Sequence, residues 1–200
     1  MIKELLKKKE RYAHAVGPAI RARRKDMGMT MQQLADKCEL SSAFISLVER
    51  GKSSFSLVSL QSIAEALEVE IGYFIDVPEG EGLVHRANKP EYLDIDHPVK
   101  YRLLSSQFPN QKMEQLITEV PPHYRFPYVK REGEGFIYVL EGRLAIKIGE
   151  EETVLDEGDS VHFDYQMGVD TENPTDALTR LLWCGSPAWL HQNLSENSDK

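Results

Sequence analysis

Residues 29–51, MTMQQLADKCELSSAFISLVERG, constrain the fold more than any other stretch of the chain. Apolar residues fall at helical spacing twice, with a short break between. Thr30 precedes Gln33 by three residues ahead of an apolar run. This is the capping-box pattern, in which each side chain satisfies a backbone N–H that a helix start leaves free. A first helix is therefore expected after Thr30, with Leu34, Ala35 and Cys38 facing inward. Glu39, Leu40 and Ser41 break the period, and Ser41 or Ser42 can cap a second helix. In that helix Ile45 and Val48 face inward, Ser42, Ala43, Ser46 and Leu47 are left outward, and Gly51 ends it. The spacing is that of a helix-turn-helix.

A helix with small and polar outward residues, held from behind by apolar ones, is a shape the major groove of DNA admits. Charge supports this partner. The chain is acidic as a whole, with net charge −8, but its first 55 residues carry 12 Lys and Arg against 6 Asp and Glu. The other 145 residues carry 12 against 26. Phosphate neutralisation needs local positive charge whatever the overall balance, and Arg21, Arg23, Arg24, Lys25, Arg50 and Lys52 supply it. The alternative is a helical bundle with a merely solvated basic face. The coincidence of that face with a helix-turn-helix favours double-stranded DNA.

Val16, Ile20 and Met27 mark one face of a preceding helix. Leu57, Leu60, Ile63, Ala64 and Leu67 mark a later one, and Ile71, Phe74 and Ile75 a short fifth. Five small helices around one core, with ERGKSSFSLVSLQSIAEALEV over residues 49–69, resemble the lambda-repressor-like DNA-binding domain of the Xre family. Arg24 and Glu49 match positions where that family often holds an internal ion pair. Met31 stands where the family often has Gln, and Leu47 where it often has a polar base-reading residue. The expected DNA contacts are Thr30, Gln32, Gln33, Ser41, Ser42, Ala43, Phe44, Ser46, Leu47, Arg50 and Lys52.

Beyond DVPEGEG at residues 76–82, the pattern changes to short apolar and β-branched runs. Strands are expected at residues 99–104, 113–120, 135–140, 143–148, 152–155, 160–163 and 178–184, with Gly142, Gly149 and Gly158 in turns. Many short strands with tight turns indicate an all-β sandwich or barrel. GFIYVLEGRLAIKIG at residues 135–149, and LDEGDSVHF at 155–163 with Asn173, resemble the two cupin motifs. The resemblance implies a double-stranded β-helix, or jelly-roll, barrel. An Xre-type head on a cupin tail implies a transcription regulator whose barrel senses a small metabolite. The expected organisation is an α + β chain: a basic N-terminal arm over residues 1–12, a five-helix DNA-binding domain over 13–76, a linker over 77–83, a cupin domain over 84–187 and a flexible tail over 188–200.

Many cupins hold a metal through two His and a Glu in the first motif and a His in the second. By resemblance these positions fall on Val129, Arg131, Gly135 and Val169, none of them a metal donor. A register shifted by one offers Tyr128, Lys130 and Glu134. The six His (His14, His85, His97, His123, His162, His191) show no H-x-H spacing. No metal and no other cofactor is therefore expected, and no catalytic residue. A displaced site combining His123 or His162 with Glu132 or Glu134 stays open. Some cupins with helical heads are non-haem iron oxygenases or epoxidases, but these keep the His/Glu/His set.

For an effector, HYRFPYVKREGEG at residues 123–135 is dense in aromatic and cationic side chains. Tyr124, Arg125, Tyr128, Lys130 and Arg131 lie where the resemblance puts a cupin's mouth, and Arg suits bidentate capture of a carboxylate. Val129, Ile137, Val139, Met167 and Val169 are the candidate apolar wall, with His162, Tyr165 and Gln166 as further polar groups. The expected effector is a small carboxylate. An amine held by Glu132, Glu134 and Asp164 is the opposite possibility, and a barrel used only for dimerisation is a third.

Helix-turn-helix domains usually act in pairs, so a homodimer on a pseudo-palindromic operator is expected. No apolar run reaches the ~20 residues of a membrane helix, so no membrane partner is expected. Residues 1–16 lack a signal-peptide core. Cys38 and Cys184 give neither a disulfide framework nor zinc spacing. A cytoplasmic location is the expectation.

Overall fold

The computed structural model describes residues 16–53, 55–75, 83–93, 95, 97–106, 111–188 and 190. The arm over 1–12, nearly all of the linker, the tail beyond residue 190, His14 and His191 lie outside the described residues. The chain divides into two compact units, Met1–Val77 with Asp94–His97, and Pro78–Leu93 with Pro98–Lys200. Among the described residues no helix is long and apolar enough to cross a membrane.

The first unit is helical: α1 over residues 16–26, α2 Met31–Lys37, α3 Ser42–Glu49 and α4 Leu57–Ala66, followed by a 3₁₀ turn Ile71–Tyr73. Three of the starts are capped by side chains. Thr30 Oγ1 accepts from the Gln33 N–H at 3.1 Å while Gln33 Oε1 accepts from the Thr30 N–H at 2.8 Å, completing the capping box. Ser41, rather than Ser42, caps α3, and Ser56 caps α4.

The helix ends share one device. The N–H two residues beyond each C-cap bonds back to a carbonyl five residues earlier: Met29 to Arg24, Leu40 to Ala35, Lys52 to Leu47 and Val69 to Ala64. The residue just before each donor has positive φ: Gly28 at 67°, Glu39 at 54°, Gly51 at 63° and Glu68 at 54°. These are Schellman closures, which satisfy the last carbonyls of a helix. Met27-Gly28-Met29-Thr30 and Cys38-Glu39-Leu40-Ser41 are thus the same joint used twice, each passing from closure straight into the next N-cap.

Ile20, Leu34, Ile45, Leu60, Ile63, Leu67 and Ile71 are fully buried and form the centre of this unit, with Val48 beside them. Burying one such side chain contributes roughly 1.5–3 kcal/mol. Two expectations are corrected. Met27 lies in the turn after α1 and is half-buried; the inward residue one turn beyond Ile20 is Arg24. The fifth helix is a single 3₁₀ turn. Ile71, Phe74 and Ile75 are buried as expected, but Gly72 is a poor helix former and Glu70 gives no side-chain cap.

The second unit holds strands β1 Lys100–Leu103, β2 Glu114–Val120, β3 Glu134–Glu141, β4 Leu144–Ile148, β5 Glu151–Leu155, β6 Ser160–Asp164, β7 Val169–Glu172 and β8 Thr179–Ser186. They form a five-stranded sheet in the order β1-β2-β8-β3-β6 and a three-stranded sheet in the order β5-β4-β7. The seven expected strands are present; β7 is the additional one. The expected closed barrel is not. After Leu155 the chain crosses from the smaller sheet to the larger through a turn at Gly158, and the segment beside β7 joins it only through isolated bridges at Arg125–Glu172 and Val129–Val169.

Alternation places Val120, Ile137, Val139, Phe163 and Leu181 of the larger sheet against Leu144, Ile146, Leu155 and Val169 of the smaller. The chain stays packed past Pro187, for Ala188 and Leu190 are buried and the Leu190 N–H donates to Glu114 Oε1 at 2.6 Å.

Candidate functional site

The outward face of α3 is small and polar because its apolar residues are used behind it. Ile45 and Val48 are buried, whereas Ser41, Ala43, Leu47, Arg50 and Lys52 are exposed and Ser42, Phe44 and Ser46 half-buried. Arg50 Nη1 donates to Ser46 Oγ at 2.7 Å, which draws the guanidinium along the helix. On α2, Thr30 and Gln33 are exposed but spend their side chains on the cap, and Gln32 Nε2 donates to Asp36 Oδ1 at 2.8 Å. Beside α3 lies a cleft of about 300 Å³ lined by Arg21, Arg24, Met31, Ser46, Glu49 and Arg50. Its floor is an ion pair: Arg24 Nε and Nη2 donate to the two oxygens of Glu49 at 2.5 and 2.9 Å, and Arg24 Nη1 donates to the Met29 carbonyl at 2.7 Å. The pair ties the end of α1 and the start of α2 to the end of α3.

In the β unit, the candidate effector residues separate into three groups. Tyr165, Ile137, Val139 and Val169 are buried in the core, with Tyr124 packed at its edge. Arg131 lies over the Tyr165 ring, its Cζ 4.0 Å from the centroid, and Trp183 Nε1 donates to the Tyr165 hydroxyl at 2.8 Å. Burial raises the Tyr165 pKa, opposed by the Trp183 hydrogen bond and the Arg131 charge. Burial also pushes Tyr124 up to about 12.

The second group faces solvent. Tyr128 and Met167 are more than half exposed, with the Tyr128 hydroxyl against Gly168. Arg125 is exposed and pairs with Asp170, so its charge is already met. The third group is His162 alone. Because Phe163 points inward, His162 points outward, where its Nε2 lies 3.1 Å from Glu134 Oε2. It is not part of an interior site. Trp183 was not anticipated as part of this cluster. Its inward place opposite Ile137 and an indole N–H needing a partner were the available signals.

Residues 20–74 match the helix-turn-helix family and residues 116–185 the cupin domain family. The chain joins a helix-turn-helix domain to a cupin domain. The immunity repressor protein of Bacillus phage phi105 is 32% identical over 77 residues, covering 38% of this chain and 51% of that protein. The chain thus matches about half the length of that relative. A helix-turn-helix family transcriptional regulator from Vibrio cholerae has a similar structure, with TM-score 0.59 and 17% identity, covering 88% of this chain and 96% of that one. Hydroxypropylphosphonic acid epoxidase from S. wedmorenis aligns with TM-score 0.42 and 20% identity over 86% of this chain and 98% of that one.

Within the cupin domain, the four positions that resemblance assigns to metal ligands fall close together but do not fit a metal. Val129 and Val169 bond to each other through their backbones at 2.9 and 2.8 Å. Arg131 stacks on Tyr165 and is a cation. Gly135 has no side chain, and a Cβ there would lie 2.6 Å from Phe163 and 2.9 Å from Tyr165. Imidazole or carboxylate donors are missing from all four. His162 with Glu134 and His123 with Asp176 are separate exposed pairs, and among the described residues no group of three His, Cys, Asp or Glu side chains is placed to hold a metal ion.

Proposed function

We propose that this chain is a sequence-specific DNA-binding transcription regulator. It acts as a homodimer on a pseudo-palindromic operator, and its cupin domain governs the spacing of two helix-turn-helix heads. The observation that carries the reading is α3: a Ser41-capped helix that presents Ser42, Ala43, Ser46 and Leu47 outward, beside Arg50 and Lys52. Small outward residues let a helix enter the major groove, Leu47 suits a thymine methyl, and flanking cations contact phosphates. The matched repressor and regulator support the same role. The test is to select DNA sites from a random pool and compare their binding with random DNA at physiological salt. Equal binding would overturn the proposal.

In this reading the cupin domain senses a small carboxylate at the Arg131–Tyr165–Trp183 cluster, and binding changes DNA affinity through a coupling of typically ~1–3 kcal/mol. The reading also holds that the chain is not an enzyme and is cytoplasmic. Another reading, a cupin domain that only dimerises, is favoured by one observation: the rings of Phe163 and Tyr165 already fill the space beside Gly135. A thermal-shift screen of small carboxylates on the full chain separates the two, since a ligand must stabilise the fold by mass action. A shift lost in Arg131→Ala supports sensing; no shift with any compound supports dimerisation alone.

A further inference from the structure

Three of the chain's six methionines stand at alternate positions in the run Met27-Gly28-Met29-Thr30-Met31, where α1 passes into α2. The core does not require them. Met27 and Met29 are half-buried and line a cleft of about 570 Å³ with Gln33, Asp36 and Lys37. Met31, the first residue of α2, is 41% exposed. It lines the cleft beside α3 together with Arg21, Ser46 and Arg50, over the Arg24–Glu49 pair. A thioether there is a bystander, since it is a weak acceptor and has no proton to donate. The cations around it are not. Arg21 is exposed, and Arg50, held along α3 by its bond to Ser46 Oγ, is one of the groups that the preceding reading sets against DNA phosphates.

We infer that Met31 is an oxidation site through which a peroxide lowers the affinity of this chain for DNA. The inference rests on the DNA-binding reading and adds a modification to its phosphate-facing side. In the step, the Met31 sulfur lone pair attacks one oxygen of hydrogen peroxide. The S–O bond forms, the O–O bond breaks, and the departing hydroxide takes the proton left on the transferred oxygen and leaves as water. Sulfur is oxidised by two electrons and the peroxide is reduced by two. An apolar side chain becomes a polar sulfoxide, whose oxygen accepts hydrogen bonds and donates none. In the cleft of Arg21 and Arg50 that oxygen competes with phosphate for the guanidinium donors. It also sets acceptor against acceptor, because phosphate oxygens likewise only accept. Met31 reacts ahead of half-buried Met27 and Met29. Met113 and Met167, 49% and 54% exposed, react as well but belong to the second unit.

The experiment treats the full chain with hydrogen peroxide, removes the peroxide, adds dithiothreitol to reverse cysteine oxidation, and measures binding to a selected DNA site. Peptide mass spectrometry follows each methionine. Affinity is expected to fall about tenfold or more as Met31 sulfoxide accumulates, as for the loss of one charge-assisted hydrogen bond, and to return after treatment with methionine sulfoxide reductases. Met31→Leu is expected to keep its own starting affinity through the same treatment, whereas Met113→Leu/Met167→Leu is expected to lose affinity as the native chain does. Unchanged affinity in a native chain whose Met31 is fully oxidised would overturn the inference, as would an equal loss in Met31→Leu. So would a loss that dithiothreitol alone reverses, which belongs to a cysteine. An untreated chain that binds selected and random DNA equally would overturn the DNA-binding reading itself, and the inference with it.

Discussion

Arg24 and Glu49, on α1 and α3, are held together by two hydrogen bonds although both are buried, at 7% and 6% exposure. The Glu49 hydrogen bond chiefly raises the Arg24 pKa, against the effect of burial. Breaking a buried pair strands a charge, typically at a cost of about 3–5 kcal/mol, whereas replacing both members with apolar residues is often neutral. Arg24→Met and Glu49→Leu should each be strongly destabilising, and the double variant should recover most of the loss. A double-mutant cycle by urea unfolding checks this; additive losses would mean the two residues are not coupled.

Glu39 occupies a left-handed position at φ 54° in the joint between α2 and α3. A side chain there costs roughly 1–2 kcal/mol, offset in part by glycine's greater freedom when unfolded. Glu39→Gly should raise the melting temperature, by a gain of up to about 1 kcal/mol, and Glu39→Val should lower it. Calorimetry of the two variants tests the sign.

How far the sequence reveals this molecule follows from the range of each interaction. Thr30 with Gln33, and Ser41 with the turn before it, are local, and these patterns locate α2 and α3. The Schellman closure at Glu39 is equally local but hidden, because glutamate is not a residue one expects at positive φ. Strand β7, VDTE, buries only its valine and has β4 as its one full strand partner, with isolated bridges on its other side, so neither apolar alternation nor a turn announces it. The outward turn of His162 was readable from inward-facing Phe163 next to it. The stack of Arg131, Tyr165 and Trp183 was not, since it joins residues that meet only once two sheets have packed.

For the DNA-reading face, Ala43→Glu places a carboxylate on an exposed α3 position and should abolish operator binding at unchanged melting temperature. Lys52→Ala should weaken binding to all sequences alike and lower the salt slope by about one. Titrations at several salt concentrations distinguish these effects. Weakening by Lys52→Ala confined to one operator would contradict a phosphate contact.

Cys38 donates its thiol hydrogen to the Leu34 carbonyl at 2.9 Å, and burial pushes its pKa up to about 11. The folded state therefore holds the thiol proton more tightly than the unfolded chain, whose thiol titrates near ~8.5. That contribution is complete below the unfolded pKa and is lost as pH rises through the folded one. The stability advantage of the native chain over Cys38→Ala should shrink between about pH 8.5 and 11, measured by urea unfolding across that range. Near neutral pH, thiol reagents should modify half-buried Cys184 before buried Cys38.

Strand β8 is the last of the eight in the chain, yet it lies between β2 and β3 in the larger sheet. During synthesis, β2 and β3 must wait with open edges until residues 179–186 leave the ribosome, whereas the helical head closes through short-range contacts and can fold far earlier. The nascent chain would then carry its DNA-reading surface before the partner strand of its cupin domain exists. Ribosomes stalled before Thr179 should present a protease-resistant head on an aggregation-prone remainder, so that, on the dimeric reading proposed above, premature termination would release lone heads without two-fold avidity.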